Sequence, residues 1–192
     1  NDIGKSTILE ALDIFFNDGK GSVKIDKEDI NKDNLLIGNN TIEITVEFED
    51  LPSTIVIDSS NETTLSAEHL LTPSNTLKVI KRYPNAGAAK VYIKANHPDA
   101  DGCKDLLLKK NADLKKILKD QSLECADKTK NSELRKAIWL GQADLQLEET
   151  EIEVAKIDSK NIWDQLKAYM PLYTLFQADR KNSDGDSEVQ DP

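Results

Sequence analysis

The sequence predicts an α/β fold with three parts: an opening helix led by a glycine-lysine-serine motif, an antiparallel β-subdomain, and a helical insertion. Three observations predict it. Gly4-Lys5-Ser6-Thr7 runs directly into Ile8-Leu9-Glu10-Ala11-Leu12-Asp13-Ile14-Phe15-Phe16, whose apolar residues recur at helical spacing. Ile42, Ile44, Val46 and Phe48 then alternate with Glu43, Thr45, Glu47 and Glu49, the period-two signature of a strand with one buried and one wet face. From Asp101 the pattern changes to helical spacing. The expected organisation is 1–100 for the opening helix and β-subdomain, 101–170 for the helical insertion, 171–180 for a core strand and the segment after it, and 181–192 for a polar tail.

The opening motif is the tail of a phosphate-binding P-loop, G-x-x-x-x-G-K-[ST]. Its leading glycine would fall two residues before Asn1, so the sequence is expected to begin inside the motif, as a piece of a longer protein. Backbone N–H groups in such a loop, with the dipole of the following helix, supply directed positive potential without bulk. Asn1, Asp2 and Ile3 would form the loop, and Gly4 would let the backbone approach the phosphates. Lys5 would place its ammonium between the β- and γ-phosphates, Ser6 would coordinate Mg²⁺, and Thr7 would lie nearer the α-phosphate. Three residues of this kind also recur by chance, but here they open an apolar helix that ends on turn chemistry at Asn17-Asp18-Gly19.

Residues 17–40 are polar and read as a loop with a short helical turn, and the mixed charge of Asp26 to Asp33 reads as solvated surface. After the strand over 41–49, Leu51-Pro52-Ser53 turns the chain, and Thr54 to Asp58 is expected to return as its partner strand. Leu77–Tyr83 and Lys90–Lys94, separated by Pro84-Asn85-Ala86-Gly87, predict a second hairpin with a longer loop. Helices are expected over 103–125 (Leu107, Leu114, Leu118), 132–147 (Leu134, Ile138) and 160–169 (Ile162, Trp163, Leu166). Pro171 stops the last, and Leu172-Tyr173-Thr174-Leu175-Phe176 is expected to form a short apolar strand.

The net charge of −10, from 35 acidic and 25 basic residues, argues against a globally basic nucleic-acid binder. Aromatic residues are only 5%, so no base-stacking platform stands out. Lys104, Lys109, Lys110, Lys115, Lys116 and Lys119 could touch DNA phosphates, but a solvated amphipathic helix accounts for them more simply. Cys103 and Cys125 lack zinc-ligand spacing with His69 and His97, and are expected to be free thiols in a reducing cytoplasm. No apolar run approaches the ~20 residues of a membrane helix, so a membrane is not an expected partner.

The order of P-loop helix, antiparallel β-subdomain, helices and apolar strand resembles lobe I of ABC-type ATPases of the RecF and SMC group. Asn1-Asp2-Ile3-Gly4-Lys5-Ser6, Ile42–Pro52 and Phe176-x-x-Asp179-Arg180 most resemble the ATPase region of OLD-family nucleases, which include Gabija-like anti-phage ATPases. The resemblance implies that two protomers or lobes sandwich ATP and Mg²⁺, with a homodimer expected in the parent protein. It also implies DNA as a possible partner and a downstream nuclease domain. Gln177, after the expected strand, would then be a Q-loop glutamine touching Mg²⁺ and water, or an ordinary surface glutamine. Asp179-Arg180 would orient that loop, reach a partner protomer, or form a local ion pair.

Two further segments imitate metal sites. Ile55-Val56-Ile57-Asp58 imitates a Walker B strand, but Ser59 follows it and it falls early in the order; an antiparallel strand is expected. Asp184-x-Asp186-x-Glu188 imitates an acidic metal cluster, but it lies in Gly-Ser-Asn-rich surroundings and reads as a solvated loop. The expected function is the ATP-binding and ATP-hydrolysing lobe of an OLD-like ATPase in phage defence or repair. The alternatives are a RecF/SMC-like repair ATPase without a nuclease, and a catalytically inactive interaction domain.

Overall fold

The computed structural model describes residues 4–58, 61–155 and 162–176, a mixed α/β structure with an antiparallel sheet. They fall in two compact units: residues 4–26 with 172–176, and residues 27–171.

In the first unit, helix α1 spans Lys5–Asn17, as its apolar spacing predicts. It ends where Asp18 and Gly19 both turn left-handed (φ 55° and 68°), and Gly19 N–H donates to Ile14 O at 3.1 Å. Ile14 and Phe15 are buried, and so is Asp13. The Asp13 carboxylate accepts Val23 N–H at 2.8 Å and Asn17 Nδ2 at 2.9 Å, fixing the loop beyond the helix. Tyr173 stacks on Phe16 with ring centres 5.6 Å apart and donates its hydroxyl to Leu9 O at 3.0 Å.

The strand expected over 172–176 is not formed. Residues 171–176 have no ladder partner among the described residues, and strand backbone is stable only when its N–H and C=O groups are paired. Side chains take that role in part: Asn17 Nδ2 donates to Tyr173 O at 3.3 Å and Ser22 Oγ to Leu175 O at 3.0 Å.

The second unit opens with a 3₁₀ turn at Lys27–Asp29 and the short helix α2, Lys32–Leu36. Asn31 caps α2, accepting from the Asp33 and Asn34 N–H groups at 2.9 and 3.1 Å. The strands are β1 (Thr41–Phe48), β2 (Ile55–Asp58), β3 (Asn61–Thr63), β4 (Leu77–Pro84), β5 (Lys90–Pro98) and β6 (Leu147–Glu153). Four form an antiparallel sheet in the order β1-β4-β5-β6, and β2 pairs with β3 in a separate ribbon.

β2 therefore is not the partner of β1. β4 matches β1 over its whole length, from Thr41↔Pro84 to Phe48↔Leu77, whereas β2 has only four residues to offer. The β4–β5 hairpin forms as expected, and Gly87 N–H closes its turn onto Pro84 O at 2.9 Å.

β6 overturns the expectation of helix over 132–147, which stops at Leu140 in helix α4 (Asn131–Leu140). Glu149 and Glu151 find Lys94 and Arg82 across the sheet, while Ile152 is buried on the other face. These cross-strand pairs outweigh the helix preference of a Glu-rich stretch. The helix expected over 103–125 is also shorter. It divides into a 3₁₀ turn at Leu106–Leu108 and α3 at Asn111–Asp120, because Lys109 and Lys110 are extended. α5 (Ile162–Lys167) buries Ile162, Trp163 and Leu166 as predicted.

One sheet face carries the core, with Val79, Tyr83, Val91, Ile93 and Ala95 almost fully buried. Lys81 lies in the same row, its ammonium 4.9 Å from the Trp163 ring centre. The opposite face is a charge ladder. Arg82 bonds Glu43 on one edge strand and Glu151 on the other at 2.7 and 2.6 Å, and these hydrogen bonds, Glu151 first, raise the guanidinium above its ordinary value.

α3 and α4 pack through Cys103, Leu106, Leu114, Leu118, Leu134, Ile138 and Trp139. Lys115, Lys116 and Lys119 are exposed on the outer face of α3, the arrangement of a solvated amphipathic helix. Cys103 is buried and Cys125 half-buried, both as free thiols, and burial pushes the Cys103 thiol up. No helix among the described residues is long and apolar enough to cross a membrane.

Candidate functional site

The site begins at the N-terminus of α1. Gly4 caps the helix in the left-handed region, φ 92° and ψ −18°, and its carbonyl accepts the first helical hydrogen bond from Ile8 N–H at 3.1 Å. A Cβ at Gly4 would meet nothing within 4 Å, so the backbone angle alone demands glycine here. Lys5, Ser6 and Thr7 form the first turn, and all are exposed.

Among the described residues no side chain caps this end, and the first turn carries no acidic residue. The leading N–H groups of a helix have no intrahelical acceptors, and they sit at the positive end of its dipole. This 13-residue helix therefore carries amide donors, the Lys5 ammonium and two hydroxyls at its N-terminal end. That donor set fits a phosphate, and the Ser6 hydroxyl is a hard oxygen of the kind Mg²⁺ takes.

The far end of α1 is held firmly. Phe15 is 1% exposed and meets Phe16 edge-on at 5.2 Å. A Cβ at Gly21 would lie 2.4 Å from Asp13 Oδ2, so the loop closes on that carboxylate only because residue 21 has no side chain. Asp13 was not singled out by the sequence. It occupies a polar position of the helical pattern, and its burial is set by Val23, ten residues on.

Asn1, Asp2, Ile3, Gln177, Asp179 and Arg180 lie outside the described residues, as do Asp184, Asp186 and Glu188. Asp58, the end of the Walker B-like segment, is in the second unit and has a structural occupation. It accepts Arg135 Nη2 at 2.6 Å and Asn131 Nδ2 at 3.2 Å. Among the described residues, no group of three or more His, Cys, Asp or Glu side chains could hold a metal ion.

The sequence model of the AAA ATPase domain matches residues 1–192, the whole chain. The chain belongs to the AAA ATPase domain family. Neither the curated proteins nor the solved structures give a match. Membership in a family of ATPases implies use of a nucleotide, typically with Mg²⁺. In this AAA ATPase domain, Gly4 and the first turn of α1 are the described residues whose chemistry suits that ligand.

Proposed function

We propose that this AAA ATPase domain binds ATP at the N-terminus of α1 and works as the ATPase lobe of an OLD-like, ABC-type enzyme that processes DNA. The observation that carries the nucleotide site is the left-handed Gly4 at the head of a helix that no described side chain caps and whose first turn is Lys5-Ser6-Thr7. In this reading the first-turn amides and Lys5 hold the phosphates, Ser6 holds Mg²⁺ by its hydroxyl, and Asn1, Asp2, Ile3 and Thr7 complete the loop. Mg²⁺, when bound, offsets the charge that builds on the phosphate oxygens. Gln177 is proposed as a further contact to the metal and water.

Ile8 and Leu9 are 64% and 45% exposed on the same helix, an apolar face that supports a second lobe or protomer as partner. The OLD-like reading, with DNA as the substrate class, rests on the resemblance of the opening motif, the β-subdomain and the Phe176–Arg180 segment. Calorimetric titration of the full-length protein with Mg²⁺-ATP, beside its Lys5→Ala variant, tests the nucleotide site. Binding lost in the variant is expected. Equal binding by both would overturn the assignment, and no binding by either would favour an interaction domain.

A further inference from the structure

A second place in the molecule has the marks of a ligand site. His97, on β5 near its end, is 3% exposed, and its Nδ1 lies 2.9 Å from the carbonyl oxygen of His69. A carbonyl oxygen only accepts, so Nδ1 carries the proton and the neutral ring has its lone pair on Nε2. The ring is held edge-on to His69 and Trp139 at 6.3 and 5.9 Å. No hydrogen bond reaches Nε2 among the described residues, and His97 forms part of the wall of a cleft of about 220 Å³.

The other walls decide what this cleft can take. Asp99 and Asp105 lie in it, both close enough to act on the His97 charge, and Thr150 adds a hydroxyl from β6. Lys104 is its lysine, and that ammonium is already tied to Asp101 at 2.8 Å. An anion would meet carboxylates here. A metal ion would find no set of three suitable side chains among the described residues. Glu151 and Glu153 of β6 also line the cleft, Glu151 already bonded to Arg82 at 2.6 Å, so its acceptors, a neutral imidazole nitrogen and carboxylates, suit a positively charged donor.

We propose that this cleft binds a guanidinium group, with His97 Nε2 and the carboxylates of Asp99 and Asp105 as its acceptors. The group could arrive on a small molecule or on an arginine of a partner protein. The site lies apart from the head of α1, and the proposal does not rest on the nucleotide reading.

The test is imidazole NMR of the 192-residue chain at pH 7.5, titrated with N-acetyl-arginine amide and separately with a Gly-Arg-Gly peptide. A saturable change at His97 Nε2 is expected. Asp105→Asn should weaken it about tenfold. Asn tolerates the left-handed backbone of residue 105 (φ 57°), and an unchanged His97 Nδ1 signal reports an intact fold. Asp99→Asn is the second variant if that signal is lost. Saturation by the amide alone assigns a small cation, and saturation by the peptide alone assigns a protein segment. No change with either probe, equal affinity in the variant, or Zn²⁺ capturing Nε2 in place of the guanidinium overturns the proposal.

Discussion

Arg135 Nε donates to Glu68 Oε2 at 2.6 Å across 67 residues of sequence, with both side chains essentially removed from solvent. Its Nη2 bonds Glu68 Oε1 and Asp58 Oδ2 at 2.8 and 2.6 Å, so one guanidinium joins α4 to the β2–β3 ribbon and the loop after it. Burial alone would lower this guanidinium, but the hydrogen bonds and charges of Glu68 and Asp58 hold it above its ordinary value. Among the described residues Nη1 is buried without a partner, so even this cluster leaves one donor nitrogen unanswered.

Arg135→Ala is therefore expected to destabilise the second unit by about 3–5 kcal/mol, because two carboxylates stay buried without their cation. Arg135→Lys should recover only part of the loss, since an ammonium cannot reproduce the guanidinium fork. Urea unfolding followed by Trp139 and Trp163 fluorescence measures both. A midpoint for Arg135→Ala within error of the parent would show that the cluster contributes nothing net.

The β4–β5 turn carries a residue in the wrong chemistry for its backbone. Asn85 and Ala86 are both left-handed, φ 51° and 55°, the pattern of a type I′ turn, and only Asn suits it. Ala86→Gly should remove a strain of about 1 kcal/mol and raise the melting temperature. An unchanged or lower melting temperature counts against the turn geometry.

His69 and His97 make stability depend on pH in a defined direction. Burial lowers both pKa values, against the nearby Glu68 charge at His69 and the His69 carbonyl at His97. The unfolded chain then takes up protons first, so stability is fully present above the unfolded value of about 6.5 and falls as pH drops through the lowered folded values. The Trp139 ring centre is 4.9 Å from His69 and 5.9 Å from His97, so its fluorescence reports the same region. Urea midpoints should decline from pH 7.5 to pH 5 and stay level between pH 7.5 and 8.5. A rise on acidification would reverse the assigned sign.

Much of this was readable in the sequence where stabilisation is local. α1, β1, the β4–β5 hairpin and α5 follow from periodicity and turn residues within a few positions. The partner of β1 was not readable, because the choice of β4 over the nearer β2 depends on a match of strand lengths. β6 was misread because Glu favours helix locally, while its stabilising partners Lys94 and Arg82 lie far back in the chain. One signal was present: Thr150, Ile152 and Val154 alternate with Glu151 and Glu153. Arg135 and Asp13 gave no signal, since a buried charge is decided by distant acceptors and donors. At the proposed nucleotide site the motif singled out Gly4, Lys5 and Ser6, and these residues form the head of α1, a helix end that needs few residues to become an anion site.

That economy also makes the proposed nucleotide site separable from the fold. Lys5 and Ser6 are exposed, so Lys5→Ala leaves the stacking of Phe16 on Tyr173 untouched while removing a positive charge from the head of α1. In the full-length protein it is expected to abolish ATP hydrolysis, while the Val23 amide, held by Asp13 at 2.8 Å, keeps its protection from hydrogen exchange. Gly21→Ala should do the opposite. Its Cβ would strike Asp13, so Val23 protection falls by about 1–3 kcal/mol of local stability while Lys5 and Ser6 keep their place in the first turn. If Lys5→Ala hydrolysed ATP at the parent rate with Val23 still protected, the head of α1 would not be the site that handles the phosphates.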